Sequence, residues 1–209
     1  MTYVQEWKAF DVTVADGVAE VTLIGPGKGN AMGPDFWSEL VPLFGALDVD
    51  GDVRAVVLTG SGKNFSYGLD LPAMAGDFGK VLADNAKARP RTEFHDTIKR
   101  MQAGINAVAD CRKPVIAAVA GWCIGGGVDL ITAADIRLAS ADAKFSVREV
   151  RVAIVADMGS LARLGGINEK VNEAIRELNG KLDKFLEKHS ELLESVARHE
   201  GLLQKGGDR

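Results

Sequence analysis

The chain reads as an α/β protein, and three features predict this. The runs "RAVVLTG" (54–60) and "KPVIAAVAG" (113–121) are continuously apolar and end in glycine, as strands buried on both faces do. Between them lie stretches whose apolar residues recur at helical spacing. Strand, helix and strand therefore alternate, the order of sheets covered by helices.

The elements follow in sequence. "FDVTV" and "VAEVTLI" flank Ala15-Asp16-Gly17, and Asp-Gly is a hairpin signal. Phe36, Leu40, Leu43, Phe44 and Leu47 predict a helix over residues 35–47, with Pro42 arguing for a kink. The buried strand at 54–60 comes next, then a Gly- and Ala-rich stretch to about residue 91. Phe94, Ile98, Met101, Ile105 and Val108 mark one face of a further helix. The strand at 113–121 leads through a glycine run into another helix, and then to "DIRLAS" and "KFSV".

Composition narrows the classes of function. With 209 residues the chain can build one substantial domain, or a domain with an appendage. A net charge of -4 gives no reason to expect nucleic acid or an anionic membrane as partner. Cys111 and Cys123 are too few for a disulfide framework and match no metal spacing. The opening "MTYVQEWKAFDVTV" lacks an apolar signal core and an Arg-rich transit pattern, and no apolar run is long enough to span a bilayer. A cytoplasmic protein is expected.

"GWCIGGGVDL" (121–130) sets three glycines before a helix, with Asp129 just inside it. Glycines between strand and helix let another group approach the backbone, and the first N–H groups of the helix are unpaired. Such a place can hold an anion or the charge developing on a carbonyl oxygen; equally, the glycines can merely permit tight packing. The run lacks G-x-G-x-x-G spacing, which disfavours dinucleotide binding. A second glycine-bearing turn after a strand, "GKNFSYGLDL" (62–71), carries Gly68. Donors from two such turns can converge on one oxygen.

"GKGNAM" (27–32), "NFSYGLDL", "KPVIAAVAGWCIGGGVDLITAADIRLAS" and "KFSVREVRVAIVADMGSLARL" (144–164) occur in the order of the crotonase family. Over about residues 10–164 the chain resembles these enoyl-CoA hydratases and isomerases. The resemblance implies a spiral of β-β-α turns that binds acyl-coenzyme A. It implies that the N–H groups of Leu69 and Gly126 hold the thioester oxygen and stabilise an enolate. Ala31 and the backbone of Ser66, Tyr67 and Gly68 fall where the family cradles the adenine end of coenzyme A. Lys28 either meets the phosphates or is a solvated surface lysine.

The carboxylates select the chemistry. The positions of the hydratases' two glutamates hold Asp129 and Glu149 here, and Asp129 is one methylene too short to share a water well. A third acid, Asp157, sits in "VAIVADMG", where an aspartate is costly unless paired or functional, and burial and the other acids should shift its pKa. The triple is similar to that of the Δ3,5-Δ2,4-dienoyl-CoA isomerases. By that resemblance Asp157 is the base at C2, Glu149 the acid at C6 and Asp129 a supporting carboxylate, with no metal or redox cofactor. The structural alternative pairs Glu149 with Arg148 or Arg151 and makes Asp157 the cap of a short helix at 158–164. Hydratase activity and a non-catalytic scaffold are the competing functions. His95 reads as a surface or satisfied histidine, and the cysteines as small apolar residues. Tyr67 and Trp122 line the acyl pocket or pack in the core.

The resemblance stops at "SLARLGG". Two domains are expected: a truncated core at 1–164, and a helical tail at 165–209 that is engineered or recombined. In the tail Val171, Ile175, Leu178, Leu182, Phe185, His189, Leu192 and Val196 form a heptad seam. A homo-oligomer is expected, a trimer by family resemblance.

Overall fold

The Asp-Gly signal produces a two-residue hairpin. Asp16 and Gly17 both take positive φ, 53° and 80°, and Ala15 pairs with Val18 across them. The hairpin joins β1 (Phe10–Ala15) to β2 (Val18–Leu23), the antiparallel pair of the main sheet. The computed structural model describes residues 6–25, 29–82, 87–149 and 157–164, all within the unit Met1–Leu164. Lys28, Arg151, the "VAIVA" stretch before Asp157 and the whole heptad tail lie outside the described residues.

From β2 onward the main sheet is parallel. β3 (Ala55–Gly60), β4 (Val115–Val119) and β6 (Ile136–Ala139) add in the order β1-β2-β3-β4-β6. After each of β2 to β6 in this sheet, the chain makes a short extended contact in a second layer. Met32 bridges Leu69, Ser66 bridges Cys123, and β5 (Trp122–Ile124) pairs with β7 (Lys144–Ser146). Helices follow three of these contacts: α1 (Pro34–Val49), α2 (Leu71–Leu82) with α3 (Ala88–Ala109), and α4 (Gly126–Ala133). Strand, short strand, helix is therefore the repeating turn, as the family resemblance implied.

The helices cover the sheet with the faces that the sequence spacing selects. Phe36, Leu40, Leu43, Phe44 and Leu47 of α1 are all buried, joined by Trp37. Pro42 lies inside the helix, which runs without interruption from Pro34 to Val49. In α3, Met101, Ile105 and Val108 are buried, while Phe94 is only half-buried against Phe78 of α2, ring centroids 5.1 Å apart. Gly104 lets α1 come close, since a Cβ there would lie 3.2 Å from Leu40 Cδ2. The Gly- and Ala-rich stretch, to which no element was assigned, holds α2 and the first turn of α3. Strand β6, at the open edge of the sheet, exposes Ile136 and Leu138.

Candidate active site

The spiral brings the two glycine-bearing turns side by side. Ser66 N–H donates to Trp122 O at 3.1 Å, and Ile124 N–H donates back to Ser66 O at 2.9 Å. A Cβ on Gly68 (φ 81°) would lie 2.6 Å from Ile124 O and 3.0 Å from Gly126 N, so only glycine fits there. Gly125, at φ 52° and ψ -121°, turns the chain into α4. A Cβ on Gly126 would sit 3.8 Å from Leu69 N. Among the described residues neither Leu69 N–H nor Gly126 N–H has an acceptor. Two free, adjacent donors can hold an oxygen that gains negative charge, and Gly126 N–H adds the positive end of the α4 dipole.

Carboxylates gather beside these donors. Asp129, in the first turn of α4, is 2% exposed, and its Oδ1 accepts the Ser160 N–H at 3.0 Å. Burial raises its pKa above the ordinary range and nearby Asp157 adds to this, while the hydroxyl and N–H of Ser160 and the charge of Arg163 pull the other way. Glu149 reaches toward the glycine run: its Oε1 would lie 3.1 Å from a Cβ on Gly125. Its Oε2 is buried without a hydrogen-bond partner, and no ion pair ties it to Arg148 among the described residues. Burial raises the Glu149 pKa, and the charges of Asp129 and Asp157 raise it further. Unlike the other two acids, Asp157 is exposed, so the expectation that burial governs it does not hold. Neither does the capping alternative, because the helical turn at 160–164 receives its acceptor from Asp129. Gln102 and Asn106 of α3 tether this segment through Asp157 O, at 2.8 Å, and Arg163 Nη2, at 3.0 Å.

The residues expected to cradle adenine divide. Ser66 is fully buried, with N–H, C=O and hydroxyl all engaged, so it acts only through its neighbours. Tyr67 N–H is taken by Gly29 O, and Gly68 N–H by Ser66 Oγ. The carbonyls of Ala31 and Tyr67 have no donor among the described residues and can accept one. Tyr67 is 41% exposed, its ring lying over Gly29, and is no core residue. Trp122 is half-buried beneath Lys144, whose Nζ is 5.1 Å from the ring centroid. His95 lies on the surface, and Cys123 is buried with its thiol pushed up to about 12.

Residues that the sequence reading passed over organise the site. Asn30 (φ 52°) is buried and binds the loop before Ser66, and Asn64 Oδ1 accepts Trp122 N–H at 3.0 Å. The asparagine of "GKGNAM" carried the only hint, an amide beside glycine in a loop, where positive φ is common. Ser160 gave no signal.

Known proteins agree with this architecture. A family model described as enoyl-CoA hydratase/isomerase matches residues 13–170, past the expected limit at 164. A mitochondrial Δ3,5-Δ2,4-dienoyl-CoA isomerase of Homo sapiens is 49% identical over 147 residues, covering 70% of this chain and 44% of that protein. A peroxisomal protein of the same name from Arabidopsis thaliana is 47% identical over 142 residues, covering 68% and 51%. A solved structure of a putative enoyl-CoA hydratase from Streptomyces coelicolor A3(2) aligns with TM-score 0.67 at 32% identity, covering 78% of this chain and 57% of that one. The chain thus spans about half the length of the curated relatives it matches. Those relatives are named for mitochondria and peroxisomes, unlike the expected cytoplasm; no helix among the described residues is long and apolar enough to cross a membrane. The paired turns, the repeating β-β-α layers and the match over residues 13–170 lead to one conclusion: the chain belongs to the enoyl-CoA hydratase/isomerase family.

Proposed function

We propose that the chain converts 3,5-dienoyl-CoA to 2,4-dienoyl-CoA through a dienolate held on two backbone N–H groups. One observation carries this reading: the N–H groups of Leu69 and Gly126, without acceptors among the described residues, adjoin carboxylates of which Asp129 and Glu149 are raised by burial and by neighbouring charge. A thioester oxygen seated there gains charge as the C2 proton leaves, so the donors favour the dienolate over the ground state. Asp157 takes the C2 proton. The double bonds shift one position toward the carbonyl, and Glu149 gives a proton to C6. The C2–H bond breaks, a C6–H bond forms, and no electrons are gained or lost.

The environments suit these roles. Glu149, with its raised pKa, keeps a proton to higher pH than an ordinary glutamate, as a donor must. Each turnover leaves Asp157 protonated and Glu149 ionised; the cycle closes when exposed Asp157 passes its proton to water and Glu149 takes one up from it. Asp129 supports the pair by holding residues 160–164 against α4. The free carbonyls of Ala31 and Tyr67 suit the amino group of adenine, with Lys28 assigned to the phosphates by resemblance. The proton transfers use carboxylates alone, without metal or redox cofactor. Association into a trimer is proposed on family resemblance, and cell fractionation decides between an organelle and the cytoplasm.

Hydration requires two carboxylates free to orient a water, and Asp129 Oδ1 is already committed to Ser160. The test is to assay the full chain with 3,5-dienoyl-CoA and with 2-enoyl-CoA, measuring coenzyme A binding in parallel. Isomerisation should exceed hydration. A hydration rate equal to or above it overturns the isomerase reading, and binding without turnover favours a scaffold.

A further inference from the structure

We infer that Ser66, braced by Asn30, is the positioning residue that aims the Leu69 N–H; this rests on the oxygen-holding role proposed for that N–H. Ser66 Oγ donates to Asn30 O at 2.9 Å and accepts Gly68 N–H at 3.0 Å. Its single proton is spent on Asn30, which leaves the lone pairs facing Gly68. On the other side of Gly68, its carbonyl accepts Met32 N–H at 2.8 Å. The Gly68–Leu69 peptide is planar, so fixing the Gly68 carbonyl fixes the Leu69 N–H on the opposite edge. The Met32 bond thus sets one side of Gly68 and the Ser66 hydroxyl the other. Glycine has no Cβ to limit φ, and here φ is 81°, so external bonds must define the angle.

Asn30 makes the brace stiff. Its Nδ2 lies 3.0 Å from Ser61 O, 2.9 Å from Asn64 O and 3.0 Å from Phe65 O, while its Oδ1 accepts Ser61 Oγ–H at 2.7 Å. Ser66 also bonds the strand that leads to the second donor, through Trp122 O and Ile124 N–H. A Cβ on Gly127 would sit 3.2 Å from Ser66 Cβ, so the first turn of α4 rests on the same residue. The buried Ser66 hydroxyl, acting on the Gly68 N–H, and the Met32 bond, acting on the Gly68 carbonyl, therefore together define the turn that aims one donor where both turns meet.

The test compares wild type, Ser66→Ala and Ser66→Cys in the full chain. Ser66→Ala should lower kcat about 10–100-fold, the range for a donor that is misaimed rather than removed, with KM changed less than about 3-fold. Bound 2,4-dienoyl-CoA absorbs further to the red when its carbonyl is polarised, and this shift should shrink in Ser66→Ala. Ser66→Cys keeps a weak hydrogen-bonding atom in a somewhat larger side chain, so it should recover part of both. A lowered Tm with kcat and the absorbance shift intact overturns the inference. Should Ser66→Ala fail to fold, Ser66→Cys decides, and wild-type kcat and shift in it overturn the inference. A wild type that neither binds nor shifts dienoyl-CoA removes the functional reading instead. Amide exchange at Gly68 in the free chain then judges the brace by itself: faster exchange in Ser66→Ala supports it, and unchanged exchange overturns it.

Discussion

The donor half of the site and the acid half are held in different ways. Around Leu69 and Gly126 the neighbouring N–H groups of Ser66, Tyr67, Gly68, Trp122 and Ile124 all have acceptors, backbone carbonyls for Ser66, Tyr67 and Ile124 and side chains for Gly68 and Trp122. Residues 157–164 are tied instead by single side-chain contacts from Asp129, Gln102 and Asn106, and Glu149 has a buried oxygen with no partner among the described residues. The difference follows from the work proposed for each half. A donor must point in a fixed direction, and a saturated backbone provides that. A carboxylate that gains and loses a proton is better left with few fixed partners, because each bond to its charged form would hold it ionised.

If the comparison is right, chemistry fails most when an acid is disabled. Asp157→Asn keeps the size and loses the basicity, so kcat should fall about 10²–10⁴-fold. Affinity for acyl-CoA should change little, because the donor half is untouched; stopped-flow turnover and equilibrium binding measure the two separately. Near-normal turnover would remove Asp157 from the mechanism. Gly68→Ala attacks the other half. Its Cβ would meet Ile124 O at 2.6 Å in a backbone with φ 81°, so the turn must shift. A displaced donor should cost about 10²-fold in kcat, and here Tm should fall as well. An acid substitution that melts the protein more than Gly68→Ala does would break the comparison.

The pH response sharpens it. Asp129 and Glu149 have folded pKa values above their unfolded ones, so the folded chain binds more protons between the two values. Their contribution is fully present below the ordinary carboxylate range and is lost as pH rises through the folded pKa. Relative to wild type, Asp129→Asn should therefore gain Tm as pH is raised from about 4 toward 7. Thermal melts across that range check the sign. A difference that stays flat would mean that burial does not perturb Asp129. Under the proposed role of Glu149 as proton donor, kcat should also decline as pH rises through its folded pKa. Glu149→Gln should lack that limb.

Much of the fold was legible because local chemistry and tertiary context agree there. Asp16-Gly17 makes the hairpin it signals, and the face of α1 is the one its spacing selects. Pro42 removes one backbone bond from α1, and the helix continues through it because its apolar face is buried. α2 was missed because Gly76 and Gly79 lower its helix propensity, although packing of the Phe78 ring on Phe94 holds it in place. At the site, the glycine turns were readable, since glycine reports backbone geometry directly. The environment of Asp157 was not. Apolar neighbours in sequence gave no account of which side of the turn faces water, and the residue is exposed. Asn30 and Ser160 act through contacts with residues 31 or more positions away, and no local pattern encodes that.

The smallest effect should come from the tether on the acid half. Gln102 Nε2 donates to Asp157 O at 2.8 Å, and this bond fixes the backbone of the proposed base without touching its carboxylate. A hydrogen bond of this kind contributes about 1 kcal/mol net, so Gln102→Ala should lower kcat by no more than about 5-fold. Gln102→Glu keeps the length but cannot donate, and it brings a further negative charge toward Asp129 and Glu149, which neighbouring carboxylates already raise. The alanine variant should therefore change kcat with its pH profile in place. The glutamate variant should also move the Glu149 limb to higher pH, because a nearby like charge favours the protonated form. pH–rate profiles of both variants distinguish tether from charge. Identical profiles with equal kcat losses would mean that only the tether matters. A loss in Gln102→Ala as large as that in Asp157→Asn would mean that the acid half is as rigidly built as the donor half.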